Sequence, residues 1–311
     1  MDASRDTRQR LVVWLVTDGK PGHRAQLDGL SRALARHAVV DVHWINAPSR
    51  GVALRALLLK KFPPGDDALP DPHLVVGCGH ATHLAVLAAK RAHAAARSIV
   101  LMRPSLPLGW FDLCVIPQHD KPPIRDNLMT TRGVLNTARA SVYQKPTQGL
   151  FLIGGPSKHH KWDDQTLLTQ IRQIVKATPD MRWALTTSRR TPESAVQSLA
   201  VLRSVGVEVI PFAQTDPGWV IDAITVSSQV WVTEDSVSMI YESLTCGAAT
   251  GLLWVPRQRL DRVTEGVEQL VKEGLVTPFL VWKDTQVLAK QDQPINEADR
   301  VAQRVLAWWP A

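Results

Sequence analysis

Residues 11–36 read Leu-Val-Val-Trp-Leu-Val-Thr-Asp-Gly-Lys-Pro-Gly-His-Arg-Ala-Gln-Leu-Asp-Gly-Leu-Ser-Arg-Ala-Leu-Ala-Arg. The run Leu11–Thr17 is apolar throughout and of strand length, as a strand buried on both faces of a parallel sheet requires. A Gly-containing loop follows, then a helix over about residues 24–36 that puts Leu27, Leu30, Ala33 and Leu34 on one face. The stretch is a strand-loop-helix unit, and the same grammar repeats along the chain. Residues 73–76 lead through Gly77-Cys78-Gly79-His80 into an Ala-rich helix over 81–95. Residues 98–102 and 113–116 read as strands that end at Pro-containing turns, where Pro fixes φ and withholds an N–H. Residues 127–131 complete this series, and 137–149, with Lys145-Pro146, read as a linker.

A second series begins at the strand 149–153, with loop 154–162 and a helix over 163–177 whose acidic start suits the helix dipole. Strands at 182–187, 207–211, 230–233 and 249–254 alternate with helices at 192–204 and 237–245, the latter stopped by Cys246-Gly247. A closing helix is expected over 296–309. Strands alternating with helices twice over predict an α/β protein of two doubly wound Rossmann-like lobes facing a cleft, residues 1–145 and 146–311.

Composition agrees. The 311 residues are 45% hydrophobic and 21% charged, with 18 Gly and 21 Pro, which excludes disordered, collagenous and coiled-coil classes. No apolar run approaches the roughly 20 residues that span a bilayer. The polar residues 1–10 lack the apolar core of a secretory signal, so a cytoplasmic protein is expected. Cys78, Cys114 and Cys246 are too far apart for a disulfide framework or zinc ribbon and read as buried thiols. Net charge is +7 overall, but it is uneven: residues 1–145 carry +9, all their acids being Asp, while residues 146–311 carry −2. A basic half attracts anions, whether phosphorylated substrates or acidic lipid headgroups. Nucleic acid is not expected as a partner, because the longest basic runs are pairs such as Lys60-Lys61.

In parallel sheets ligands gather outside the carboxyl ends of the strands, so the loops there carry the candidate chemistry. Asp18-Gly19-Lys20-Pro21-Gly22-His23 offers backbone access at Gly19 and Gly22, the cation of Lys20, and Asp18 or His23 as a base. It satisfies neither the Walker A nor the dinucleotide fingerprint. His80 either contacts substrate or caps its helix, and with His83 three residues on it raises a metal pair for which no third ligand can be named. Arg103 ends another strand and either projects a cation toward the ligand or lies on the surface. Gly154, Gly155, Ser157 and Lys158, within a loop that continues to His159, His160 and Lys161, suit a diphosphate. Ser188 and Arg189 repeat hydroxyl and guanidinium at the next strand end. Asp235, Ser236 and Ser238 stand at a helix start, where the serines cap the helix or meet a phosphate, and Glu242 follows as an acceptor for ribose hydroxyls or a surface ion-pair partner.

The segments DGKPGH (18–23), GCGHATH (77–83), RPSLP (103–107), LIGGPSKHHKW (152–162) and TEDSVSMIYESLTCG (233–247) resemble the bacterial relatives of the plant mitochondrial-fission factor whose loss elongates mitochondria. The resemblance runs over nearly the whole chain. That family is in turn similar to GT-B glycosyltransferases and nucleotide-sugar 2-epimerases. In GT-B enzymes a Ser/Thr loop, then a helix bearing Glu before a Gly, holds the donor nucleotide, a pattern matched by Asp235, Ser236, Glu242 and Gly247. The acceptor-side loop corresponds to Asp18–His23. The sequence departs from that pattern in showing no unambiguous second carboxylate of the Glu-x7-Glu type, which argues against a retaining mechanism. The resemblance implies a nucleotide-diphosphate sugar as ligand and metal-independent sugar transfer, without cofactor, as the leading function. An acidic or membrane-associated envelope acceptor then follows from the basic first half, with peripheral contact at the inner face of the membrane. A nucleotide-sugar 2-epimerase and a non-catalytic adaptor, as plant relatives are described, are the alternatives.

Overall fold

A computed structural model describes residues 10–62, 69–258 and 262–308. The polar residues 1–9 and the end of the closing helix at Trp309 lie outside them. The chain divides into two compact units, Met1–Thr137 with Glu297–Ala311, and Ala138–Asn296.

The first unit runs β1 (Leu11–Thr17), α1 (Pro21–Ala35), β2 (Val40–Asn46), α2 (Arg50–Leu59), β3 (Leu74–Cys78), α3 (His83–Ala92), β4 (Arg97–Leu101), β5 (Leu113–Pro117) and β6 (Leu128–Thr131). Its strands form one parallel sheet in the order β2-β1-β3-β4-β5-β6. All seven residues of β1 are buried because alternate side chains serve opposite faces. Leu11, Val13 and Leu15 pack with Leu27, Leu30 and Leu34 of α1. Val12, Trp14 and Val16 pack with Ala85, Val86 and Ala89 of α3 and with Phe62. α1 starts at Pro21, whose missing N–H costs nothing at a first helical position, so His23 sits in the first helical turn and not in the loop. Gly29 interrupts this helix for a steric reason: a Cβ there would stand 2.3 Å from the carbonyl oxygen of Asn136, where the chain crosses the helix.

The second unit runs β7 (Lys145–Leu152), α4 (Asp164–Ala177), β8 (Arg182–Thr186), α5 (Glu193–Ala200), β9 (Val207–Ile210), α6 (Trp219–Val226), β10 (Ser227–Thr233), α7 (Val237–Cys246), β11 (Ala249–Leu253), α8 (Arg262–Lys272), β12 (Thr277–Pro278) and α9 (Phe279–Thr285). Its parallel sheet has the order β12-β11-β10-β7-β8-β9. Leu150, Leu152, Val230 and Val232 face α7, and Phe151, Ile153 and Trp231 face α4 and α9. Asp163 caps α4, its Oδ1 accepting from the amides of Gln165 and Thr166. β7 begins at Lys145, so the strand occupies the end of the stretch read as a linker.

The last helix, α10 (Glu297–Leu306), departs from the expected division at residue 145. Its apolar stripe Ala298, Val301, Ala302 and Val305 enters the first unit's core beside α1, and Arg36 donates to Asp299 across 2.9 Å. The C-terminal segment therefore completes the N-terminal unit, because the face of the first sheet that α1 covers also takes the stripe of α10.

Candidate functional site: two topological switch points

Each sheet reverses its winding once. In the first unit the chain leaves β1 for β2 on one side and returns to β3 on the other. In the second, β7, β8 and β9 proceed outward one way, and β10, β11 and β12 the other. Loops at the carboxyl ends of the two strands flanking such a reversal diverge and leave a crevice. The loop at Asp18–Lys20 and the turn at Gly79–Thr82 flank the first. The loops at 154–163 and at Glu234–Ser236 flank the second.

At the first switch point the Asp18 carboxylate lies 2.9 and 3.0 Å from Nδ1 of His23, accepts the Lys20 amide at 3.2 Å, and has Lys20 Nζ at 3.6 Å. Burial alone would raise the Asp18 pKa, but the His23 hydrogen bond and the Lys20 amide outweigh it and hold the carboxyl below its ordinary value. An ionised Asp18 accepts the Nδ1 proton, which leaves Nε2 of His23 as the acceptor of the pair. The imidazole lies against Gly79, where a Cβ would come within 2.4 Å of the ring and where φ is +85°. Burial, and then the Asp18 charge, push the Cys78 thiol up to about 12, so it stays protonated. His80 is exposed in the turn before α3, whereas His83 is buried. Its Nδ1 is 3.3 Å from Ser105 Oγ, its ring meets Phe111 edge-on, and burial pulls its pKa to about 4. The two histidines thus serve different surroundings. Arg103 is exposed and donates to the Asp120 carbonyl at 2.9 Å, which ties the loop after β4 to the loop after β5.

The second switch point is more tightly knit. Gly154 N donates to Thr233 Oγ1 at 2.8 Å, and Gly155 N to Asp235 Oδ2 at 3.0 Å. Ser188 Oγ donates to the Gly154 carbonyl at 3.0 Å, and Thr191 Oγ1 bonds the same carbonyl. Arg190 donates to the Gly155 carbonyl at 2.9 Å and to Asp235 Oδ2 at 2.7 Å. The Asp235 carboxylate is buried, and its Oδ1 has no hydrogen-bond partner among the described residues. A Cβ on Gly154 would lie 2.2 Å from Asp235 Oδ2, and one on Gly155 would lie 2.2 Å from the Arg190 carbonyl oxygen. The sequence suggested that these glycines give a ligand access to the backbone; the space is taken by Asp235 and the Arg190 backbone instead. Ser157 Oγ accepts from the amides of His159 and His160 and so shapes its own loop.

What lacks a side-chain cap here is the start of α7. Ser236 is its N-cap but makes no side-chain cap bond, and the amides that follow point out of the helix end with the positive end of its dipole. Ser238 is exposed in the first turn, and Lys158 is exposed without an ion pair among the described residues. Arg189 turns from the clamp and lies 5.8 Å over the Phe212 ring. Glu234 and Glu242 stand seven residues apart from end to end of the Asp235–Tyr241 stretch, the Glu-x7-Glu spacing left unassigned in the sequence. Glu234 is buried, which raises its pKa against the pull of Arg257, whose Nε is 3.4 Å away. Burial pushes half-buried Glu242 up to about 7. Sequence reasoning missed Thr191 and Arg257 and placed Arg190 and Thr233 in their loops without a role; each of the four completes the loops through a contact between distant segments.

Comparison with known proteins agrees with the fold. A protein of Rickettsia prowazekii (strain Madrid E), described as the uncharacterized protein RP120, is 20% identical over 94% of this chain and 96% of its own length. A Listeria monocytogenes protein assigned as a UDP-N-acetylglucosamine 2-epimerase superposes with a TM-score of 0.60 at 13% identity, over 96% of this chain and 95% of that one. MurG of Acinetobacter baumannii gives 0.53 at 12% identity, over 96% and 99%. These neighbours share the GT-B-type fold of two Rossmann-like lobes, and at such identity they establish fold alone. The family described as mitochondrial fission ELM1 matches residues 21–309, and the chain belongs to that family.

Proposed function

We propose that the chain is a metal-independent transferase that takes a sugar from a nucleoside-diphosphate donor held at the switch point of the second unit. The observation that carries this reading is the start of α7 at Ser236, whose side chain makes no cap bond, next in sequence to Asp235 of the Arg190–Asp235–Gly155 clamp, with Lys158 and Arg189 in the loops after β7 and β8 of the same sheet. Such a rigid set of donors stabilises charge developing on a leaving diphosphate without reorganising during the reaction. Arg189 over Phe212 presents a flat cationic surface on which a nucleobase can stack. Glu242, with a pKa near neutrality, is suited to ribose hydroxyls as acceptor or donor.

His23 is the general base of this scheme. Asp18 holds Nδ1–H, so Nε2 takes the proton of an acceptor hydroxyl and Asp18 stabilises the imidazolium formed. Gly19 and Gly22, with no atom within 4 Å of a built Cβ, leave space beside this pair, and Lys20 and His80 are exposed near it. The +9 charge of residues 1–145 favours an acidic or lipid-linked acceptor at the cytoplasmic face of a membrane.

A panel of nucleoside-diphosphate sugars tested by thermal denaturation decides the matter. A ligand at about 100 times its Kd adds about 2.7 kcal/mol of stability. A rise in Tm with one sugar nucleotide and not with the free sugar is the expected result; no shift with any member contradicts it. Incubation of the stabilising donor alone separates transfer from epimerisation, since only an epimerase converts it without an acceptor.

A further inference from the structure

α2 covers its sheet with the wrong residues. Of its nine side chains only Ala53 and Ala56 are buried and Leu57 is partly buried against the same core, whereas Leu58 is 68%, Leu59 63%, Leu54 48% and Val52 43% exposed. Leu54 and Leu58 stack one turn apart, and Leu59 and Val52 continue the outward face with Arg55 between them. Leucine gains far more than alanine by leaving water, so a helix that buries alanines and exposes leucines keeps an apolar strip for something other than its own core.

Among the described residues, the charges on α2, on Lys60 and Lys61 after it, and on α3 beside it have one sign. Arg50 and Arg55 lie in α2, Lys60 caps it, Lys61 follows, and α3, packed beside it, adds Lys90 and Arg91. No acid occurs between Asp41 and Asp66, or between Asp71 and Asp112. Lys90 is paired with Asp112 at 2.8 Å and Asp71 with His93 at 3.0 Å; Asp66 and Asp67 fall outside the described residues. Arg50, Arg55, Lys60, Lys61 and Arg91 make no ion pair among the described residues.

We propose that the outward face of α2 docks on an anionic lipid surface, with Leu54, Leu58 and Leu59 at the acyl boundary and Arg50, Arg55, Lys60 and Lys61 among the headgroup phosphates. Ten residues are too few to span a bilayer and suit a helix lying in its interface, and no described helix is long and apolar enough to cross. Charge decides between lipid and a second copy of the chain: a two-fold contact through this face would set the cations of one copy, Arg55 and Lys61 among them, against a face of the same sign, whereas anionic phosphates complement them. The proposal gives a surface to the membrane contact expected from the basic first half. It does not depend on the nucleotide reading, because no nucleotide enters its test.

The test is co-sedimentation of the full chain with vesicles of phosphatidylcholine alone and of phosphatidylcholine mixed with phosphatidylglycerol. The mixed vesicles should bind it and release it in high salt. Leu58→Ser/Leu59→Ser should lower partitioning at least about tenfold, and Arg55→Gln/Lys61→Gln roughly thirtyfold, with unchanged circular dichroism. A polarity-sensitive dye on Leu58→Cys should shift to the blue with mixed vesicles, and the same dye on Arg172→Cys in α4 should not. Equal binding to both vesicle types, no binding, or variants that bind like the parent would overturn the proposal. So would a dimer of the parent that Leu58→Ser/Leu59→Ser dissolves in the absence of vesicle binding.

Discussion

The two switch points occupy the same place in the same topology and are built in opposite ways. The first is open: Asp18 and His23 meet across one hydrogen-bonded pair, and Gly19 has empty space around it. The second is closed upon itself, since Gly154, Gly155, Ser188, Arg190, Thr191, Thr233 and the Oδ2 of Asp235 bond to one another, while Asp235 Oδ1 has no partner among the described residues. Topology places both loops where strands diverge, but loop chemistry decides whether the result is a lone carboxylate–imidazole pair or a braced loop.

Substitution breaks the two regions differently. Gly155→Ala should be the most damaging change, at about 3 kcal/mol, because its Cβ meets the backbone of Arg190, which cannot rotate aside; urea denaturation measures it. Asp235→Ala should cost about 2 kcal/mol, by leaving the Gly155 amide and the Arg190 guanidinium without their shared acceptor. A loss as small as that of a surface substitution would show that the clamp does not brace the loop. Gly19→Ala should cost only about 1 kcal/mol, from the left-handed backbone at φ +80° and not from crowding. If Gly19→Ala proved as harmful as Gly155→Ala, the contrast between open and closed loops would fail.

Titration sharpens the comparison. The folded pKa of Asp18 lies below its unfolded value, so its contribution is complete above about 3.8 and is lost as pH falls through the lower folded value. The part of the stability gap between the parent and Asp18→Asn that comes from the carboxyl's own titration should therefore narrow as pH falls below about 3.8. Glu242 behaves oppositely. Its folded pKa is raised from 4.5 to about 7, so its favourable contribution is complete below 4.5 and is lost as pH rises through 7. Glu242→Gln should gain in Tm relative to the parent between pH 5 and pH 8, and a flat difference would contradict the burial of that carboxyl.

The alternation of buried strands and helices was legible because parallel strands covered on both faces read as unbroken apolar runs, as at Leu11–Thr17 and Leu113–Pro117. β2 escaped because an edge strand that is half exposed alternates weakly, and α2 because its leucines face outward and blur the helical period. The stripe of α10 was legible as a helix but not as a partner of the first unit, since an apolar face does not name the sheet it will cover. The site loops were found by their position at strand ends. Their internal bonding was not, because Arg189 and Arg190 are chemically alike in sequence and only the fold sends one to Phe212 and the other to Asp235.

Calorimetric titration of the nucleoside-diphosphate sugars into the parent, Arg189→Ala and Asp18→Asn tests the central claim most directly. The account predicts that one donor binds the parent, that Arg189→Ala weakens it by about tenfold or more, and that Asp18→Asn leaves its affinity unchanged. Absence of binding by every donor, or binding indifferent to Arg189→Ala and lost in Asp18→Asn, would contradict a donor site in the second unit.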